Sequence, residues 1–213
     1  MNHATVVLLI IAAVFAVGNW VSRLIDSRVL EYFTKPTVTV LLAGAALTID
    51  PRSASARPWF VAGLLLSLAG DVFLMLPERE IFFVFGLGSF LLAHVAYIVG
   101  FGVADLGFAG AVATAVVVAA VMAPLASTIL RSVRARAPAL RIPVTLYICV
   151  IGVMIVFAGG SGIAIAILGA ATFAFSDSLI AWTKFVQPLK WASVAIMVTY
   201  HLGQVGILVS LAK

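Results

Sequence analysis

The chain is expected to be all-α, a polytopic membrane bundle of about eight transmembrane helices with both termini outside. Three observations predict it. Of 213 residues, 64% are hydrophobic and only 10% charged, whereas soluble domains carry about 25% charged residues. The apolar residues gather into eight stretches, and all 13 Lys and Arg fall between or just beside them. The cations are also distributed unequally between the two sets of connections, as in proteins inserted positive side inward. Eight spans of about 20 residues use most of the chain. Residues 1–213 therefore read as a single integral membrane domain, with no room for a soluble catalytic or nucleic-acid-binding domain. The net charge of +5 speaks to topology and anionic headgroups, not to nucleic acid.

The elements follow in order. The first run, residues 4–22, has no Lys or Arg ahead of it and meets its first at Arg23, the reverse of a secretory signal, so it is expected to be a retained span. The second, residues 36–49, is short. Fourteen residues rise only about 21 Å as a helix, so on length alone it could be re-entrant. Its helix is expected to start before Pro36, a residue tolerated in a first turn, with Glu31 and Lys35 at the interface. The third and fourth runs, 58–76 and 81–103, flank a short charged segment around Arg79. The fifth, 108–130, leads into the basic stretch RSVRARAPALR, and the sixth, 142–158, holds Cys149. As the single cysteine, it permits no intrachain disulfide. The seventh and eighth runs are 161–183 and 190–212.

Charge decides whether the second run crosses. With eight crossings, one side carries Arg23, Arg28, Lys35, Arg79, Arg131, Arg134, Arg136, Arg141, Lys184 and Lys190, and the other only Arg52, Arg57 and Lys213. If the second run turned back, the bias would vanish, so eight crossings are expected, with the cation-rich side cytoplasmic. Four landmarks also recur at nearly constant offset: Lys35 and Arg141, Pro36 and Pro143, Asp71 and Asp177, His94 and His201. They suggest a 4+4 parallel pseudo-repeat about an axis along the membrane normal, although the intervening sequence is not visibly similar.

Polar side chains within spans mark the candidate site. Asp71 lies in SLAGDVFLM and Asp177 in FAFSDSLIAW. An intramembrane carboxylate costs about 2.5–3.5 kcal/mol on the insertion scale, so it faces the bundle interior and has a use. That use could be helix-to-helix bonding or an ion pair with Lys35 or Lys184, but two acids in matching contexts favour a site. His94 and His201 join them, each sharing a helix face with a further hydrogen-bonding group: Tyr97 one turn from His94, and Gln204 one turn from Tyr200 and His201. Tyr147 and Ser176 complete the polar candidates.

Counted from the cytoplasmic helix ends, Asp71 lies ~8 Å deep, Asp177 ~10 Å, Tyr200 and His201 ~15 Å and His94 ~20 Å. Lys35 and Lys184 are expected at the mouth. Cations outermost and carboxylates deeper suit an amphiphile with an anionic headgroup and an apolar tail. No His triplet or HExxH shares a helix face, so no metal or other cofactor is expected. Ser176 and Ser178 lack a nucleophile elbow, and the glycines of FGLGSF follow no strand, so they serve helix packing rather than phosphate.

These residues resemble the YhhN-like lysoplasmalogenase family of integral membrane proteins. The resemblance rests on Lys35-Pro36, on SLAGDVFLM followed closely by FGLGSFLLAHVAYIVGF, on FAFSDSLIAWTKF with its lysine seven positions after the aspartate, and on Tyr200 and Gln204 in the last span. It departs at TYHLGQ, where the family would have Tyr-x-x-Ala-Gln or similar, so His201 carries over less securely than His94. The resemblance implies hydrolysis of the vinyl ether bond of lysoplasmalogens to a fatty aldehyde and a glycerophospho-alcohol. It makes a lysophospholipid and the membrane lipids the partners; a bacterial cytoplasmic membrane is expected, and the cations clustered on the positive side with the aspartates just deeper place the site toward its cytoplasmic leaflet.

The chemistry fits: an enol ether needs a proton delivered to its β-carbon and a water to capture the oxocarbenium ion, tasks that two carboxyl groups can divide. Asp71 is expected to be the acid, Asp177 the base, and His94 an orienting or relaying group. Lys35 and Lys184 would hold phosphate, though either could be an interfacial anchor or a carboxylate partner. Tyr97, Tyr147, Ser176, Tyr200, His201 and Gln204 would line the substrate site. The competing expectations are a proton-coupled carrier of a small amphiphile, which also places carboxylates and histidines mid-membrane, and a structural protein that uses the acids as helix glue.

Overall fold

A computed structural model describes residues 1–77, 79–104 and 106–213. Among the described residues eight α-helices follow one another: α1 (His3–Leu24), α2 (Arg28–Thr48), α3 (Arg57–Met75), α4 (Glu80–Val103), α5 (Phe108–Arg136), α6 (Arg141–Gly160), α7 (Ala164–Phe185) and α8 (Ala192–Val209), with a 3₁₀ turn at Pro138–Leu140 before α6. Connections are short, as spans of this length leave little chain to spare. Seven helices, α2 excepted, are long and apolar enough to cross a bilayer.

The second helix corrects its sequence reading. It begins at Arg28, well ahead of the apolar run, because Ser27 caps it with its hydroxyl toward the Leu30 N–H. At 21 residues it spans about 31 Å, close to the hydrocarbon thickness of about 30 Å, and it packs along α1 and α3. Arg28, Glu31 and Lys35 in its first turns dilute its apolarity. Pro36 therefore lies inside the helix, not in its first turn, and Lys35 is not at the interface: it is 7% exposed.

Sequence neighbours pack as antiparallel pairs, α1 on α2, α3 on α4, α5 on α6 and α7 on α8, while α4 leans on α6 and α8 on both α1 and α2. The closest approach joins α7 and α8. A Cβ on Gly203 would stand 2.7 Å from the Phe173 backbone nitrogen, and one on Gly206 would stand 2.7 Å from the Gly169 Cα. Here only glycine fits, and backbones meet as they do in small-residue membrane interfaces. An aromatic seam of Phe60, Phe90, Tyr97, Phe101, Phe173 and Tyr200 fills the centre. Large apolar side chains such as Val14, Phe33, Val116 and Leu168 face outward, as lipid-facing surface should. Helix α5 is peripheral, its buried residues being Ile129 and Val133.

Both chain ends lie beside the α2–α3 connection. Asn2 donates to the Thr48 carbonyl at 2.5 Å, and the Lys213 and Arg52 N–H groups bond the Asp50 and Leu211 carbonyls. The α4–α5 and α6–α7 connections meet through Gly107 N–H and the Gly160 carbonyl at 2.6 Å.

Candidate active site

Two carboxylates, Asp71 buried and Asp177 partly exposed, head two separate networks. Asp71, 1% exposed, sits on α3 with Oδ1 3.2 Å from the Lys35 ammonium. Its Oδ2 accepts from the Tyr200 hydroxyl at 2.6 Å and from Thr39 at 3.1 Å. Lys35 and Thr39 are one turn apart on α2, so one helix face delivers both donors. From Tyr200 the network continues: Gln204 donates Nε2 to the Tyr200 oxygen at 3.3 Å and accepts from the Tyr97 hydroxyl at 2.7 Å. An ion pair this deep balances desolvation only because its remaining lone pairs are satisfied.

Asp177, on α7, keeps 10% side-chain exposure. Its Oδ2 accepts from the Tyr147 hydroxyl of α6 at 2.6 Å and lies 3.1 Å from the His94 Nε2 of α4. Tyr147 and His94 are themselves 3.0 Å apart, so carboxylate, phenol and imidazole form a closed triangle. With Tyr147 donating to Asp177, His94 can reach the same oxygen only as the Nε2–H form. Both bonds fall on Oδ2, and Oδ1 has no partner among the described residues. The rings of Phe90 and Phe173 stand between the networks, Phe173 lying 4.8 Å from His94 and 5.3 Å from Tyr200, centroid to centroid.

The second network meets a cavity. Asp177 and Tyr147 lie in the wall of an apolar cavity between α4, α5, α6 and α7, of about 640 Å³ including its open mouth, otherwise lined by residues such as Leu87, Met122, Ile151 and Phe185. Leu74, Phe83, Ile180 and Phe185 also line a wider polar vestibule at the end of the bundle that holds Arg79, Glu80, Arg136 and Lys184. An apolar chamber, a carboxylate in its wall and a cationic antechamber thus follow one another.

The candidates from sequence divide accordingly. His94, Tyr147 and Asp177 come together, as do Lys35, Asp71, Tyr97, Tyr200 and Gln204. Asp71 and Asp177 are not partners, and Lys35 pairs with Asp71 instead of standing at the mouth. Lys184 does stand there, its ammonium 4.1 Å from the centre of the Phe83 ring. Ser176 donates to the Ile196 carbonyl at 2.9 Å and His201 accepts from the Trp20 indole at 3.0 Å; both tie helices together. Trp20 and Thr39 escaped the sequence reading. Thr39 was findable, since it lies four residues from Lys35, but nothing along the chain links Trp20 to a histidine 181 positions away. Among the described residues no three of His, Cys, Asp and Glu gather as a metal-ligand group.

Eight packed helices with an apolar exterior and a hydrogen-bonded polar interior define an integral multi-pass membrane protein with a built internal site. Residues 30–211 match the YhhN family, and the chain belongs to that family. It is similar to the lysoplasmalogenase of Mycobacterium bovis, 33% identical over 187 residues that cover 86% of this chain and 71% of the relative. It is also similar to the human lysoplasmalogenase TMEM86B, 30% identical over 172 residues that cover 79% of this chain and 70% of the relative. No solved structure matches the chain.

Proposed function

We propose that this protein is a membrane hydrolase that cleaves the vinyl ether bond of lysoplasmalogens such as lysoplasmenylethanolamine, releasing a fatty aldehyde and a glycerophospho-alcohol. The observation that carries the reading is Asp177: a carboxyl group in the wall of an apolar cavity, with one oxygen held by Tyr147 and His94 and the other uncommitted. The relatives named lysoplasmalogenase support the same substrate class.

The division of labour read from sequence, Asp71 as acid and Asp177 as base, is revised in this proposal. Asp177 meets the vinyl ether. As the carboxylic acid it delivers its proton from Oδ1 to the β-carbon, leaving a carboxylate beside the oxocarbenium ion. That carboxylate takes a proton from the water that adds to the α-carbon. The resulting hemiacetal then breaks its bond to the glycerol oxygen, which leaves with the hydroxyl proton, so one water is consumed per aldehyde and alcohol released. Tyr147 and His94 donate to Oδ2 and stabilise the carboxylate as it forms, which is where a positioned donor is most effective. Asp71 is a positioning residue. It fixes Tyr200, whose ring packs 5.8 Å from Phe90 in the cavity wall.

The site faces the cytoplasmic leaflet of a bacterial cytoplasmic membrane, a placement supported by the cation excess at the vestibule end. The deciding experiment is purified protein in detergent with lysoplasmenylethanolamine, assayed for free aldehyde. Turnover without any gradient is expected, and it should survive exhaustive chelation. An absence of aldehyde, with flux of the lipid across sealed vesicles instead, would overturn the hydrolase in favour of a carrier.

A further inference from the structure

The vestibule holds one cation whose geometry is unlike that of its neighbours. Arg136, at the end of α5, uses a single nitrogen to reach two backbone carbonyls at the end of α7: Nη1 donates to Phe185 at 3.0 Å and to Val186 at 2.6 Å. Both protons of Nη1 are spent on those bonds. Among the described residues the Nε proton and the two Nη2 protons are left over, the parallel edge that donates bidentately to a carboxylate or a phosphate. The carbonyls thereby hold the guanidinium in one orientation, so little side-chain entropy remains to be lost on binding. Arg136 shares the vestibule with Arg79 and Lys184 against Glu80 among the described residues, an excess of positive charge. The vestibule shares four wall residues with the apolar cavity that ends on Asp177.

We propose that Arg136 is the phosphate anchor of the substrate site: its Nε–Nη2 edge takes the phosphodiester of a lysophospholipid, with Lys184 and Arg79 as supporting point charges, while the glycerol leads into the cavity and the chain lies beyond Asp177. This rests on the hydrolase reading and assigns the headgroup to a residue that charge counting placed only in a cytoplasmic loop. Lys35 is excluded from the role because Asp71 occupies it.

The test compares lysoplasmenylethanolamine with 1-O-alkenylglycerol, which carries the same vinyl ether and no phosphate. Arg136→Gln should raise KM for the phospholipid at least tenfold with kcat within about twofold, the pattern of a contact made equally in ground and transition states, and leave both constants for alkenylglycerol unchanged. Arg136→Lys, which keeps charge but loses the fork, should fall between. Equal losses on both substrates would make Arg136 a structural tether between α5 and α7 and overturn the proposal. So would an unchanged KM for the phospholipid together with inorganic phosphate inhibition that Arg136→Gln relieves, which would make the vestibule a site for free anions. If wild-type protein releases aldehyde from neither substrate, the hydrolase reading fails. The anchor is then decided by binding of lysophosphatidylethanolamine in detergent: Arg136→Gln weakens it about tenfold if the anchor is real and leaves it unchanged if it is not.

Discussion

The two aspartates are chemically identical and similarly flanked, yet their partners give them different sensitivities to the same substitution. Asp177→Asn keeps the shape of the triangle with His94 and Tyr147 and removes the transferable proton. It should lower kcat by two or more orders of magnitude, within the range for losing a positioned acid or base, in a protein that remains folded by thermal unfolding in detergent. Asp71→Asn leaves the Lys35 ammonium buried without its counter-charge, a change that costs about 3–5 kcal/mol, so its first effect should be on stability. The Asp71→Asn, Lys35→Met double variant should regain most of that loss. If Asp71→Asn instead unfolds no earlier than wild type yet turns over normally, the ion pair contributes nothing measurable and Asp71 has no part in the site. Tyr147→Phe removes one short hydrogen bond from Asp177. A bond to a charged group is worth about 1.5–3 kcal/mol, so kcat should fall roughly ten- to a hundredfold.

At the scale of elements, α7 and α8 are the pair with least tolerance. Gly203→Ala would push a methyl group against the Phe173 backbone, where nothing can rotate away, and overpacking of this kind costs about 1–3 kcal/mol. Phe173 also borders both His94 and Tyr200, so the displacement should reduce turnover as well as unfolding temperature. Gly88→Ala in α4 is the control: a Cβ there meets nothing within 4 Å, and alanine improves helix propensity by about 1 kcal/mol. Its unfolding temperature should match or exceed wild type; a loss there would mean that the exposed face of α4 is covered. Helix α2 carries a lesson about reading spans. Its apolar run understates it because a membrane helix can start in polar residues when a cap is available and the polar face turns inward, as Lys35 and Thr39 do toward Asp71.

For the whole molecule, an even number of crossings is consistent with both chain ends lying beside the α2–α3 connection. The cation bias adds the prediction of which side they occupy: both termini outside and the 131–141 loop inside. Single cysteines placed in a Cys149→Ala background should be labelled from outside intact cells at the α2–α3 connection and protected between 131 and 141; the opposite pattern would reverse the orientation of the site. The parallel pseudo-repeat read from the offset of 106 between Asp71 and Asp177 is a proposal. Asp71 of the first half is met by Tyr200 of the second, and Asp177 of the second half by His94 of the first.

The sequence by itself determined that the chain is a bundle of membrane helices, roughly where each begins and ends apart from the start of α2, which carboxylates and histidines lie within spans, and what family it belongs to. It could do so because lipid is an unforgiving solvent. Length, apolarity and the internal satisfaction of every backbone group are imposed on each span separately, so they leave a local signature in composition. Only the tertiary structure decided who pairs with whom. Whether Lys35 reaches a phosphate or Asp71, and whether two aspartates share a site or head separate networks, depends on the rotation of each helix about its axis and on which helices become neighbours. The same holds for Arg136, indistinguishable along the chain from the other arginines of its loop until the end of α7 fixes its orientation. Contacts of that kind join residues 30 to 180 positions apart, and no periodicity along the chain records them.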